Sequence, residues 1–179
     1  MSTANGKFIW IDLETTGLDP EKDKIVEIAT IITNSNLDIL AEGPDLVIRQ
    51  PSAVINNMND WCQEHFAQSG LLTAIHDSQV SLMEAEEKTL NFLKKHCPPQ
   101  TALFAGSSVH FDREFVGIYM PKLTNFAHYR IIDVSTIKEL ALRWYPQIPA
   151  FPKVGSHRAH DDILESIDEL KYYRAHIFQ

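Results

Sequence analysis

The sequence has few of the features that mark secreted or membrane proteins. Its 179 residues include only two cysteines, Cys62 and Cys97, which lack C-x-x-C spacing. We therefore expect two reduced thiols rather than a disulfide framework. No apolar run approaches the roughly 20 residues that a membrane-spanning helix needs. The first residues lack the basic segment, followed by an apolar stretch, that is typical of a secretory signal. These absences predict a soluble, cytoplasmic protein with no membrane partner.

Positive charge is also in short supply. The chain has 16 lysines and arginines against 24 acidic residues, a net charge of −8. Proteins that hold long nucleic acids usually carry a basic surface that neutralises phosphates, so this balance argues against such a partner. Two arrangements remain compatible with nucleic acid. The acidic residues can gather around divalent cations, or the substrate can be so short that few phosphates need neutralising.

The order of strand-like and helix-like segments predicts an α/β fold. Without repeats, low-complexity tracts or linkers, residues 1–179 fit a single domain. Three β-rich segments joined by short turns predict an antiparallel meander at Phe8–Leu13, Ile25–Thr33 and Ile39–Arg49. Further strands are predicted at 101–105 and 129–134, and helices between Ser81 and Pro98, at 111–119, from 135 or 136, and at 159–176. This order predicts a mixed sheet flanked by helices.

Asp12 and Glu14 are the most informative acidic residues of the chain. Residues two apart in a strand point to the same face, so both carboxylates project together while Ile11 and Leu13 face the opposite way. Burying two like charges side by side is costly without a cation. Taken alone, the pair also fits a strand that has ended, with Glu14 solvated.

Two later acidic residues change that balance. Asp112 opens a predicted helix after a Gly-Ser-Ser turn, and Asp162 lies in the first turn of the last helix, five residues after His157. Each alone fits an acid placed at a helix N-terminus by the helix dipole. Their ordered relation to Asp12 and Glu14 argues against coincidence and indicates one site in which the four meet.

This ordered set resembles the D-E-D-D exonucleases of the histidine subtype, which have a ribonuclease H-like fold. Three segments resemble the oligoribonuclease family in particular: 9–20, 128–136 with its His-Tyr-Arg and Asp-Val-Ser-Thr motifs, and 161–163. The resemblance spans nearly the whole chain. It implies a 3′→5′ exoribonuclease that acts on RNAs of two to five nucleotides and releases 5′-mononucleotides.

The resemblance also implies roles at the reacting centre. Two Mg²⁺ or Mn²⁺ ions would be held by Asp12, Glu14, Asp112 and Asp162. Oxygen ligands suit such hard cations. His157 would be the general base, for which an imidazole pKa of about 6.5 is well suited near neutral pH. In the family, Tyr129 reaches the active site from the partner of a homodimer.

Substrate contacts follow from the same resemblance. A group of hydroxyls and one guanidinium would cap the 5′ phosphate and so exclude longer chains: Ser108, Arg130, Ser135 and Thr136. Leu18 would wedge between terminal bases, and Trp61 would offer a stacking surface. From the residues alone, each of these two also fits a place in the core.

Three positions depart from the family pattern, and two other functions remain open. Ser107 replaces an Asn, Phe111 a Gln and His160 a Met, although none of these changes removes a metal ligand. One alternative is a related exonuclease that trims tRNA 3′ ends or proofreads DNA. The other is a non-enzymatic binding module with the same fold. The adjacent His160-Asp161 also suggests an H-D metal phosphohydrolase, but those proteins are wholly helical, which conflicts with the β-rich first third.

Overall fold

The computed structural model describes residues 6–153, 155 and 158–178. Its strands form one sheet in the order β3-β2-β1-β4-β5. The strands are β1 (Lys7–Thr15), β2 (Ile25–Asn34), β3 (Ile39–Val47), β4 (Leu103–Gly106) and β5 (His128–Asp133). The first three strands are antiparallel, whereas β4 runs parallel to β1 and β5 parallel to β4. The predicted mixed sheet with an N-terminal meander is confirmed.

Eight helices occur in this described part of the chain. They are α1 (Ser52–Asn56), α2 (Asp60–Gln68), α3 (Leu71–Asp77), α4 (Leu82–His96), α5 (Val109–Tyr119), α6 (Pro121–Phe126), α7 (Val134–Trp144) and α8 (Ala159–His176). The sequence predicted α4, α5, α7 and α8 but not the four shorter helices. Those four are too short for an apolar stripe to repeat, so periodicity could not reveal them. No helix built from the described residues is both long and apolar enough to cross a membrane.

Strand β1 separates two hydrophobic cores. On one face, Ile9, Ile11 and Leu13 pack in a core with buried residues of α4, α5 and α6. On the other face, Trp10 packs in a core with Ile163 of α8. Because side chains alternate along a strand, Asp12 and Glu14 continue the Trp10 face, which α8 covers.

The carboxyl ends of the parallel strands meet at one edge of the sheet. Trp10 is paired with Ala105, and Gly106 with Asp133. A Cβ on Gly106 would lie 2.9 Å from the carbonyl oxygen of Ile11, so this approach of β4 to β1 requires glycine. Since α5 begins just after β4, the fold places its N-terminus beside the end of β1.

Candidate metal and active site

Three of the four predicted metal ligands form a tight cluster. Carboxylate oxygens of Asp12, Glu14 and Asp162 all lie within 4.8 Å of one another. Asp12 and Glu14 come from the same face of β1, and Asp162 comes from the first turn of α8. The alternative in which Glu14 is simply solvated does not hold, because Glu14 is half-buried and lies beside two other carboxylates. Burial raises its pKa to about 8.

Asp112 approaches this cluster from α5, which packs on the face of the sheet opposite to α8. It lies in the first turn of α5 and is only 4% exposed. Its Oδ1 accepts a hydrogen bond of 3.0 Å from the amide of Leu13, which stands between Asp12 and Glu14. The structure therefore brings the four predicted acids together, with α5 and α8 approaching β1 from opposite faces of the sheet.

The electrostatics of the cluster favour a bound cation. Burial raises the pKa of Asp12 well above its ordinary value, and the charges of Asp112 and Glu14 add to that effect. Burial also raises the pKa of Asp112 to about 7, partly opposed by the hydrogen bond from Leu13. Because the carboxylates repel one another, they are held ionised together only at a cost unless positive charge lies among them. An all-oxygen donor set fits a hard divalent ion such as Mg²⁺ or Mn²⁺.

The predicted general base, His157, lies outside the described residues. Its neighbour Arg158 is held by Glu27 of β2, whose side chain is fully buried. Sequence reasoning missed Glu27. The available signal was one acidic residue inside the apolar segment Ile25–Ile32, where an unpaired charge would be costly.

A largely apolar cleft of about 480 Å³ opens beside the acids. Its walls are formed by Leu13, Glu14, Thr15, Gly17, Leu18, Asn59, Trp61, Cys62 and Phe111. Leu18 is 80% exposed and Trp61 is 53% exposed, so neither is a core residue. The Trp61 ring stacks on His65 with 3.9 Å between centroids. The cleft therefore offers apolar and aromatic surface to a planar group next to Glu14.

Ser108 and Ser135 meet at the carboxyl ends of β4 and β5. Their Oγ atoms are 3.1 Å apart. Asp133 holds both segments, because its Oδ1 accepts hydrogen bonds from the amides of Ser108 at 2.9 Å and Ser135 at 3.0 Å. Asp133 also caps α7, which begins at Val134, so the predicted start of this helix at 135 or 136, with Ser135 or Thr136 as its cap, is wrong. Thr136 is exposed and lines an adjacent groove that Asp133 shares.

Tyr129 and Arg130 form a second group on the exposed strand β5. Tyr129 is 69% exposed. The guanidinium of Arg130 lies 5.4 Å from the centroid of the Tyr129 ring, which stacks on His128. Arg113 donates hydrogen bonds to the carbonyl oxygens of His128 and Tyr129 and so holds the backbone of this segment.

Sequence comparisons place the chain among exonucleases. The model of a family described as exonuclease, RNase_T, matches residues 9–170. The mitochondrial oligoribonuclease of Homo sapiens is 51% identical over 175 residues, covering 97% of this chain and 74% of that protein. An oligoribonuclease of Haemophilus influenzae is 51% identical over 180 residues, covering 100% of this chain and 99% of that protein.

Solved structures show the same fold in larger proteins. An exonuclease I from Methylocaldum szegediense superimposes with a TM-score of 0.75 at 18% identity, covering 97% of this chain and 41% of that chain. A zinc-bound complex of E. coli exonuclease I with single-stranded DNA has a TM-score of 0.68 at 16% identity, covering 98% and 42%. This chain spans about two fifths of the length of those exonucleases. At such low identity the likeness shows the fold alone.

Proposed function

Because this chain belongs to the oligoribonuclease family of exonucleases and is a 3′→5′ exoribonuclease, we propose that its substrates are RNAs of two to five nucleotides, dinucleotides above all. The products would be 5′-mononucleotides. The observation that carries the proposal is the convergence of Asp12, Glu14 and Asp162 with the buried Asp112 beside an apolar cleft.

The four acids would hold two divalent cations, either Mg²⁺ or Mn²⁺. Asp12 is the central ligand of the proposed set, because its carboxylate interacts electrostatically with Asp112, Glu14 and Asp162. When bound, such a pair lowers the pKa of the attacking water and stabilises charge on the leaving oxygen. The protein's part is to hold these carboxylates close together, half-buried at the end of β1.

His157 would accept the proton of the attacking water as general base. It lies five residues before Asp162 in the chain, on the segment that leads into α8. A neutral imidazole can take up that proton near neutral pH. Replacing His157 would therefore lower the rate of hydrolysis more than the affinity for metal or substrate.

Two groups of residues would select a short substrate. The cleft walls Leu18 and Trp61 would hold the terminal base by apolar contact and stacking. At the other end, the 5′ phosphate would be held by Ser108, Arg130, Ser135 and Thr136. Residues that enclose the 5′ phosphate would exclude any further nucleotide on its 5′ side, and so would exclude longer RNAs. A short substrate also leaves few phosphates to neutralise, which suits a protein with a net charge of −8.

We also propose a single-domain subunit in a cytoplasmic homodimer in which Tyr129 of each subunit completes the site of the other. Strand β5 is at the edge of the sheet, and Tyr129 projects from it into solvent. Exposed Leu142 and Trp144 of the neighbouring α7 add apolar surface that a partner would cover. Both cysteines are free, which suits a reducing compartment. Light scattering of the purified protein tests the dimer directly.

Timed digestion of a labelled dinucleotide beside a labelled 20-mer tests the substrate proposal. The dinucleotide should disappear first at equal concentration, because only a short chain can occupy both the cleft and the serine group. A 20-mer cleaved equally fast or faster would contradict the proposal and favour the related exonucleases that act on tRNA or DNA. Hydrolysis that survives in Asp12→Ala would contradict the role of Asp12 in the proposed metal site.

A further inference from the structure

Glu27 is a fully buried acid on the same side of the sheet as the candidate metal site. It is paired with Glu14 across β1 and β2, so the two side chains project to the same face. Its charge contributes to the raised pKa values of both Glu14 and Asp12. The carboxylate therefore lies near the proposed cations, and its hydrogen bonds are made with the start of α8.

Every described hydrogen bond to the Glu27 carboxylate comes from the start of α8. Arg158 donates from Nη2 at 2.6 Å and from Nε at 3.0 Å to the same oxygen, Oε1. The amide of Ala159, the first residue of α8, donates to Oε2 at 3.1 Å. The side chain of Arg158 makes no capping hydrogen bond itself. Glu27 of β2 therefore caps this helix by accepting from its first amide.

This contact is one hydrogen bond away from a proposed metal ligand. The amide of Asp162 donates to the carbonyl oxygen of Arg158 at 3.0 Å, closing the first turn of α8. Ala159 is fully buried, and its amide is the group that Glu27 caps, so the first turn of α8 is held to β2 at this residue. A shift of Arg158 would therefore move the backbone that carries Asp162 relative to β1.

We propose that Glu27 and Arg158 are positioning residues that hold the first turn of α8, and with it Asp162, against Asp12 and Glu14. The inference rests on the proposed metal site and deepens it. Arg158 also neutralises Glu27, which would otherwise be an unpaired buried anion beside the four proposed metal ligands. A lysine could supply the charge but not the two donors that a guanidinium directs at one carboxylate.

Replacing Arg158 separates positioning from simple electrostatics. Arg158→Gln removes a cation near the acids, and by charge alone that change should strengthen Mn²⁺ binding. Loss of positioning should instead weaken it, by roughly 10- to 100-fold, as for other residues that orient metal ligands. The measurement is a calorimetric titration of the full chain with Mn²⁺ and no substrate. Arg143→Gln on α7 is the matched control, since Arg143 is exposed and pairs only with Glu139 in the described structure.

Two further variants test whether the residues act as a pair. Glu27→Gln combined with Arg158→Gln should lose little more Mn²⁺ affinity than Arg158→Gln alone, because the contact is already broken. Arg158→Lys should give an intermediate affinity, and it serves if the glutamine variant does not fold by circular dichroism. For either variant, kcat at low Mn²⁺ should fall and recover at saturating Mn²⁺, whereas the KM for a dinucleotide should change little.

The positioning role would be overturned if Arg158→Gln bound Mn²⁺ as tightly as the wild type or more tightly. If Arg158→Gln does not fold, the same criterion applies to Arg158→Lys. Failure of the metal site itself has a different signature. In that case the wild type would bind Mn²⁺ no better than Asp12→Ala, and the positioning role would be overturned with it. Weaker binding by the Arg158 variant, together with tight and Asp12-dependent binding by the wild type, is the expected result.

Discussion

Asp112 accepts a hydrogen bond from the amide of Leu13 across 99 positions of the chain. Leu13 is buried in the core, and the residues on either side of it are Asp12 and Glu14. The hydrogen bond thus ties the first turn of α5 to the part of β1 that carries two proposed metal ligands. The acceptor is Oδ1 of the Asp112 carboxylate.

Replacing Asp112 by asparagine separates this structural contact from the charge. The amide oxygen of the introduced side chain would still accept the hydrogen bond from Leu13, so the fold should survive. The lost charge should lower kcat by roughly 100-fold or more, the scale on which a single electrostatic contact in an active site acts. Steady-state hydrolysis of a dinucleotide by Asp112→Asn measures the effect, with circular dichroism as the control for folding. Near-normal activity would remove Asp112 from the metal site.

The raised carboxyl pKa values predict that the metal-free protein loses stability as pH rises. The pKa of Glu14 is about 8 and that of Asp112 about 7 in the folded chain, far above their ordinary values. Between the ordinary and the raised pKa, the folded state holds protons that the unfolded chain has released. Stability from these groups is therefore present at low pH and is lost as pH rises through 7 and 8.

Thermal unfolding in EDTA tests this pH dependence. The Tm should fall between about pH 6 and about pH 8.5, and saturating Mg²⁺ or Mn²⁺ should reduce the fall, because cations replace the bound protons. Glu14→Gln should flatten the metal-free curve, since it removes one of the titrating groups. A metal-free Tm that rises over the same range would show that these carboxyl groups are not protonated in the folded state.

We expect Phe111 to contribute to the binding of a base in the cleft. It stands where the family pattern has Gln, and it lines the cleft together with Leu18 and Trp61. Phe111→Gln should raise the KM for dinucleotides by roughly fivefold, near the lower end of what one base-stacking contact contributes. Phe111→Leu, which stays apolar, is the control and should change KM less. Mn²⁺ affinity should not change, and an unaltered KM in Phe111→Gln would place the base elsewhere.

Ser108 and Ser135 lead us to expect that substrate binding depends on the 5′ phosphate. Ser135→Ala removes one of the two hydroxyls that meet at the ends of β4 and β5. The KM should rise roughly 10- to 100-fold for a dinucleotide with a 5′ phosphate, the equivalent of about one hydrogen bond to a charged group. A dinucleotide without that phosphate should be hydrolysed as by the wild type. Equal effects on both substrates would argue against a phosphate contact at Ser135.

Local pattern determined much of the fold. The β-rich segments predicted the antiparallel meander, and the alternation along β1 predicted that Asp12 and Glu14 share a face. The pattern Ser81-x-x-Glu84 predicted the start of α4, where the Ser81 hydroxyl accepts a hydrogen bond from the amide of Glu84. These features were readable because each depends on residues a few positions apart.

Only the tertiary structure decided which distant residues complete the site. Periodicity shows which side of β1 carries the acids, but not that α8 covers that side or that α5 approaches from the other. The contact of Glu27 with Ala159 spans 132 positions. The contact of Asp133 with Ser108 also joins separate elements. Such contacts depend on how helical layers pack on the sheet, and the lowest free energy of that packing is a property of the whole core rather than of any segment.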